Sequence, residues 1–187
     1  MKRCENEKVF NKCVNMINSF KQYFFSHNQE CYENPSPGNH DGGITTLEEK
    51  SLGCIQKGGK AIITDVLEYG EHCKKQGLNL LTGPGNDIVS TTNLTAAGAN
   101  IILFTTGRGT PLGASVPTIK VSSNSRLAKR KSNWIDFNAG ELIESNDFEN
   151  MTEEIFKLLI DIASGRQTKN EQNGYRDISI FKDGVIM

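Results

Sequence analysis

The sequence predicts an α/β fold, Rossmann-like, with a mostly parallel sheet and helices on both faces. Three observations predict it. Short apolar runs alternate with amphipathic segments over most of the chain. Several of the amphipathic segments stop at a glycine. The loops after the apolar runs are small, polar or glycine-rich, as expected of strand ends that face a ligand.

The first element is an amphipathic helix over residues 5–25. Phe10, Cys13, Val14, Ile17, Phe20 and Phe24 recur at helical spacing and mark its apolar face. It forms an arm, residues 1–33, distinct from an α/β domain over 34–187. The stretch Asn34-Pro35-Ser36-Pro37-Gly38-Asn39 reads as neither helix nor central strand, because two prolines fix φ and remove donors. A short helix then follows Thr45 or Thr46 as cap, and Gly58-Gly59 breaks it.

After that the α/β rhythm sets in. Residues 65–76 are expected as a helix ended by Gly77, and 78–81 as a strand. A helix of small residues covers 87–97, with Gly98 at its end. Strands are expected over 100–105 and 118–122, a short helix near 125–131, and a strand over 134–137. Residues 151–164 form a clear helix with Ile155, Leu158, Leu159 and Ile162 on one face, and Asn150 with Glu153 suggests a capping box. A late strand is expected over 178–181.

Charge and cysteine content exclude several classes. The net charge of -1 offers no bulk attraction to a nucleic-acid backbone or an anionic membrane. The basic run from Arg126 to Lys131 is short and reads as a solvated helix face. Five scattered cysteines include no C-x-x-C pair, so reduced thiols in a cytoplasm are the expectation. No apolar run approaches membrane-spanning length. Neither G-x-G-x-x-G nor G-x-x-x-x-G-K-[ST] occurs, which argues against a dinucleotide or nucleoside-triphosphate enzyme.

The strand-end loops carry the chemistry. They read Thr82-Gly83-Pro84-Gly85-Asn86-Asp87, Thr105-Thr106-Gly107-Arg108-Gly109-Thr110, Ser122-Ser123-Asn124 and Asn138-Ala139-Gly140. Glycines let backbone N–H groups approach an anion, and Arg108 can grip a carboxylate or phosphate with its planar fork. Four such loops at one sheet edge point to an anionic, polyhydroxylated ligand. Asp87 opens a helix, where an acid also complements the helix dipole. Asp136 lies on a strand that could bury it beside a ligand or turn it to solvent.

Read in order, these loops become recognisable. They stand with Asn34-Pro35-Ser36-Pro37-Gly38-Asn39, with Gly42-Gly43-Ile44-Thr45-Thr46-Leu47-Glu48-Glu49-Lys50-Ser51-Leu52-Gly53, with Trp134-Ile135-Asp136-Phe137-Asn138-Ala139-Gly140 and with the closing Ile180-Phe181-Lys182-Asp183-Gly184-Val185. Together they resemble the carboxy-terminal half of galactarate and altronate dehydratases, with the run from Phe104 to Pro111 and the tail tilting slightly to galactarate dehydratases. The resemblance covers essentially the whole chain. It implies loss of water from a sugar acid to give a 2-keto-3-deoxy acid, with a divalent metal, Fe2+, assisting. It also implies an upstream dehydratase domain or separate subunit as partner, and a homo-oligomer. The resemblance points first to the carboxy-terminal part of a galactarate dehydratase-like enzyme; the alternatives are an altronate dehydratase subunit and a sugar-acid-binding or interaction domain without catalysis.

Such a dehydration needs a base for the proton α to the carboxylate, positive charge for the resulting aci-carboxylate, and an acid for the leaving hydroxyl. The expected catalytic group is Asp87, Arg108, Lys50 and Asp136, with Arg108 on a substrate carboxylate. Asn39, Thr45, Thr46, Asn86, Thr105, Thr106, Gly107 and Asn138 are expected to bind substrate. Glu49 and Cys54 are the candidate metal ligands.

Overall fold

Five short strands, all paired in parallel, form two separate sheets among the described residues. The computed structural model describes residues 2–29, 35 and 37–184. These divide into two compact units, one holding the described residues up to Thr82 together with 182–184 and the other residues 83–181. The division falls after Thr82, whereas the sequence places a boundary after residue 33.

In the first unit, α1 (Glu7–Ser26) begins at Asn6, whose side chain accepts from the Val9 N–H at 3.0 Å. It packs on β1 (Ile63–Leu67), and the Lys12–Asp65 ion pair at 2.7 Å ties the two together. Val9 and Phe24 are its buried residues, while Ile17 and Phe20 remain largely open, so the apolar face predicted from periodicity is covered at its ends. β1 pairs with β2 (Leu78–Leu81), and the chain just before α1 runs along β1 through a Cys4–Ile63 bridge. Arg3 donates to the carbonyls of Ile55, Gly58 and Ala61, which fastens the end of α3 (Leu47–Lys57).

Two expectations fail here. Residues 65–76 are not a helix: 63–67 is strand and the rest is loop. The β-branched run Ile62, Ile63, Thr64, Val66 prefers extended backbone, and the Asp65 carboxylate is engaged by Lys12 and by Val66 N–H rather than capping a helix. The proline stretch does contain helix, α2 (Pro37–Asp41), because proline at the first helical position lacks only a donor that would be unpaired anyway. Asn34 and Ser36 of that stretch lie outside the described residues.

The second unit is built on β3 (Ile102–Thr106), β4 (Thr118–Ser122) and β5 (Phe137–Asn138), in that order, with Phe104 beside Lys120 and Val121 beside Phe137. Every residue of β4 is buried, as for a central strand covered on both faces. Ile119 and Val121 point to α7 (Phe148–Ala163) and pack on Ile162, with Ile155, Leu158 and Leu159 around them. Full burial of one such side chain contributes about 1.5–3 kcal/mol. This is the helix face the sequence predicts. By strand alternation Thr118, Lys120 and Ser122 point the other way.

The remaining elements of this unit are α4 (Asp87–Ala96), α5 (Ser125–Arg130), α6 (Leu142–Ser145) and α8 (Lys169–Gln172). α7 starts earlier than expected, since Asp147 caps it by accepting from Asn150 N–H; the Asn150–Glu153 box is not formed. Residues 178–181 are not a strand: Asp177 N–H goes to Gly113 O and Ser179 N–H to Thr92 Oγ1, so no ladder is made. The expected strand over 134–137 shrinks to Phe137–Asn138, because Trp134 and Ile135 both donate back to Lys131 O in a turn. The architecture is α/β with parallel sheets, but Leu78–Leu81 belongs to a different sheet from the other predicted strands.

Candidate functional site

The carboxyl ends of β3, β4 and β5 lie side by side, so the loops after Thr106, Ser122 and Asn138 share one edge. The fourth loop, 82–87, follows a strand of the other sheet, and its Asn86 and Asp87 line a cavity with Thr110 of the loop after β3. The turn after β3 is closed by Thr106, whose Oγ1 accepts from Gly109 N–H at 2.9 Å. Asn124 joins the two neighbouring loops: its Nδ2 donates to Gly107 O and its Oδ1 caps α5 at Leu127 N–H. Gly140 is required where the third loop meets α5, since a Cβ there would lie 2.4 Å from Asn124 Cα and Ser125 N.

Three of the cavities among the described residues adjoin these loops. One, of about 490 Å3, is lined by Arg108, Arg126, Arg130, Lys131 and Trp134, with the Gly107 and Gly109 backbone. The second, of about 420 Å3, carries Asn86, Asp87, Thr110 and Asp177. The third, of about 300 Å3, carries Asp136, Asn138, Glu141 and Lys169. The expected convergence of Asn86, Asp87, Thr106, Arg108 and Asn138 on one cleft is therefore not what the structure presents. Arg108, the Asn86–Asp87 pair and Asn138 line three different walls.

Several predicted side chains are already committed. Asn86 Oδ1 caps α4 by accepting from Ile88 and Val89 N–H. Asn138 donates to Ser125 Oγ and Glu141 Oε1 and accepts from Gly140 N–H. Both oxygens of Asp136 accept backbone donors, Lys120 N–H and Lys169 N–H, each at 2.8 Å. Burial raises the Asp136 pKa above the usual carboxylate value, and those two hydrogen bonds oppose the rise. Thr105 is exposed on β3.

Lys120 was not foreseen. It is fully buried, donates to Thr110 O and lies over the Phe104 ring, 4.9 Å from its centroid. Burial lowers its pKa to about 8, opposed by the charges of Asp136, Asp87 and Asp177. A lysine in the middle of the apolar run Thr118-Ile119-Lys120-Val121-Ser122 was the available signal. Asp177 was also missed: its Oδ2 accepts from Gly113 N–H, which brings it to the second cavity.

The candidates of the other unit form two local groups. Thr46 and Glu49 make a reciprocal capping box on α3, and Glu49 Oε2 accepts from Thr45 N–H, Thr45 Oγ1 and Thr46 N–H. The Thr45 and Thr46 backbone donors hold the Glu49 carboxyl below its ordinary pKa. Lys50 Nζ donates to Asn39 Oδ1 at 3.0 Å. Cys54 is exposed on α3. Glu49 and Cys54 do not make an ion site by themselves, and among the described residues no three His, Cys, Asp or Glu side chains group to hold a metal. The described residues do not by themselves make up a metal centre.

The family pattern of D-galactarate/altronate dehydratase, C-terminal, matches residues 1–186. The chain belongs to the galactarate/altronate dehydratase family. It is 54% identical over 187 residues to the altronate dehydratase of Escherichia coli (strain K12), covering 100% of this chain and 38% of that protein. To the altronate dehydratase of Bacillus subtilis (strain 168) it is 53% identical over 188 residues, again 100% and 38%. To the galactarate dehydratase (L-threo-forming) of E. coli it is 35% identical over 188 residues, 98% of this chain and 36% of that one. Whole-chain identity is thus higher to the altronate dehydratases, against the slight tilt read from residues 104–111 and the tail. The chain spans less than two fifths of the length of these dehydratases. No helix of the described residues in this family member is long and apolar enough to cross a membrane.

Proposed function

We propose that this chain is the carboxy-terminal part of a sugar-acid dehydratase, a hydro-lyase that converts a 2,3-dihydroxy acid to a 2-keto-3-deoxy acid. Family membership supports the reaction class, and the identities favour altronate over galactarate as substrate. The observation that carries the reading is Arg108, on the loop after β3, facing a cavity whose charged lining is entirely cationic. Such a wall suits a substrate carboxylate and the negative charge that builds on it when the α proton leaves. We assign the proton transfers to Asp87 and Asp177, which line a second cavity together with Thr110. Asp136 serves to position β4 and α8, because both its oxygens are engaged. A divalent ion in the complete enzyme would need ligands beyond the residues described, so no step is assigned to one.

The test is to incubate the chain with altronate or galactarate and ferrous iron under reducing conditions, and to assay for the keto-deoxy product. The expected result is no steady turnover by the chain alone and turnover once an amino-terminal dehydratase portion is supplied. No turnover in either mixture would overturn the catalytic reading and leave a sugar-acid-binding domain.

A further inference from the structure

The basic run is largely exposed on α5, as the sequence suggests, but three of its four cations line one concavity while Lys129 lines another. Arg126 and Arg130, on α5, and Lys131 just after it line the same cavity as Arg108 from the loop after β3. Four cations therefore share one concavity, with no acidic residue on its walls. Among the described residues none of the four forms an ion pair or donates a side-chain hydrogen bond to the protein. The Lys131 ammonium instead lies over the Trp134 ring, 4.2 Å from its centroid. In a chain of net charge -1 this concentration of unneutralised charge is a local feature, not a reflection of bulk basicity.

We propose that this cavity is a binding site for a small anion carrying at least two negative charges, either a phosphate-type anion or a dicarboxylate. One guanidinium fork is enough for one carboxylate. Four like charges around one cavity repel each other, and a ligand with two anionic groups relieves that repulsion where a monoanion does so only in part. The volume of about 490 Å3 is that of a small-molecule site. Convergence on a concavity, with the rest of the chain near neutral, distinguishes this arrangement from the basic stripe that tracks a nucleic-acid backbone. Arg108 is shared with the carboxylate grip of the dehydratase reading. The inference rests on that reading only for the choice of dicarboxylate probe.

The chain supplies its own reporter, since Trp134 is its one tryptophan. An anion that draws Lys131 from the ring changes the emission. The 187-residue chain is titrated at low salt with inorganic pyrophosphate, with galactarate (two carboxylates) and with altronate (one). The expected result is that one or both dianions change Trp134 emission and bind about tenfold or more tightly than altronate. A response to pyrophosphate alone identifies a phosphate-type ligand, and one to galactarate alone a dicarboxylate. Arg126→Ala with Arg130→Ala should weaken the dianion about tenfold, while the lysine pair at the same positions retains most of the affinity. Equal affinity for altronate, silence with both dianions, indifference to the alanine pair, or a response confined to a single-stranded oligonucleotide would each overturn the proposal. Because the readout is binding and the pyrophosphate arm needs no sugar acid, its failure is separate from a failure of turnover.

Discussion

Lys120 and Phe104 stand directly beside each other on adjacent parallel strands, and the lysine's ammonium sits over the phenylalanine ring. Lys120 is fully buried and Phe104 half-buried, and a backbone carbonyl, Thr110 O, is the ammonium's hydrogen-bond acceptor. Lys120 forms no ion pair among the described residues. The aromatic face and the carbonyl compensate only part of the lost hydration, which is why the lysine gives up its proton near 8 rather than 10.5.

That shift makes a stability prediction with a definite sign. Between pH 8 and 10.5 the unfolded chain keeps a proton that the folded chain has released. Stability therefore rises with pH across this window, and the burden of the buried charge is fully present below it. Lys120→Met removes the titrating group. The difference in urea unfolding free energy, wild type minus variant, should grow by about 3 kcal/mol from the bottom of the window to the top. A difference that stays flat with pH would show that Lys120 does not titrate in this range.

Asp136 is predicted to matter for folding through its two backbone partners. Asp136→Ala leaves Lys120 N–H and Lys169 N–H without their acceptors in a buried setting. The expected loss is about 2–4 kcal/mol in denaturant unfolding, from two charge-assisted hydrogen bonds. Asp136→Asn keeps the shape but sets an amide donor against one of those N–H groups, so it should fall between alanine and wild type. A variant as stable as wild type, yet inactive in the complete enzyme, would move Asp136 from positioning to catalysis.

Thr46→Ala tests whether the box at the start of α3 is local structure. Losing the Thr46 oxygen exposes Glu49 N–H, and about 1 kcal/mol of stability should go with it, read as faster amide exchange over 47–50. Glu49 adds a pH dependence. Its folded pKa is depressed, so its contribution is present above 4.5 and is lost as pH falls through the folded value. Protection of the first turn should decline with acid in wild type and not in Glu49→Gln. Unchanged exchange in Thr46→Ala would show that the box is not formed.

What could be read from the sequence follows from the range of the interactions. The α7 face was legible because Ile155, Leu158, Leu159 and Ile162 repeat at the helical period and need only a surface to cover. β4 was legible as an apolar run. Residues 65–76 were not, since the extended preference of Ile63, Thr64 and Val66 competes with a helical-looking charge pattern, and pairing with β2 decides between them. Which strands share a sheet was also illegible, because strand order is a long-range property. At the site, Arg108 on a strand-end loop was legible from its neighbours. That Arg126 and Arg130 face the same cavity depends on how α5 rotates after its Asn124 cap, and Asn124 is fixed by Gly107, seventeen residues away. Asp177 reaches its cavity only because a non-ladder segment is clipped to Gly113.

Arg108→Lys separates charge from geometry at the cavity the function rests on. Lysine preserves the positive charge but replaces a planar five-donor fork with a point charge on a flexible stem. Arg108 is exposed and has no carboxylate partner among the described residues, so the substitution should leave unfolding within about 0.5 kcal/mol of wild type. If the guanidinium grips a substrate carboxylate in two places, kcat/KM of the complete enzyme should fall at least about tenfold, the worth of one lost charge-assisted hydrogen bond. The way the loss divides carries further information. A rise in KM with kcat unchanged means the grip is the same in ground and transition states, whereas an equal fall in kcat and kcat/KM means it tightens as charge moves onto the carboxylate. Near-normal kinetics with a stable variant would place the substrate carboxylate elsewhere and leave Arg108 to the anion cavity alone.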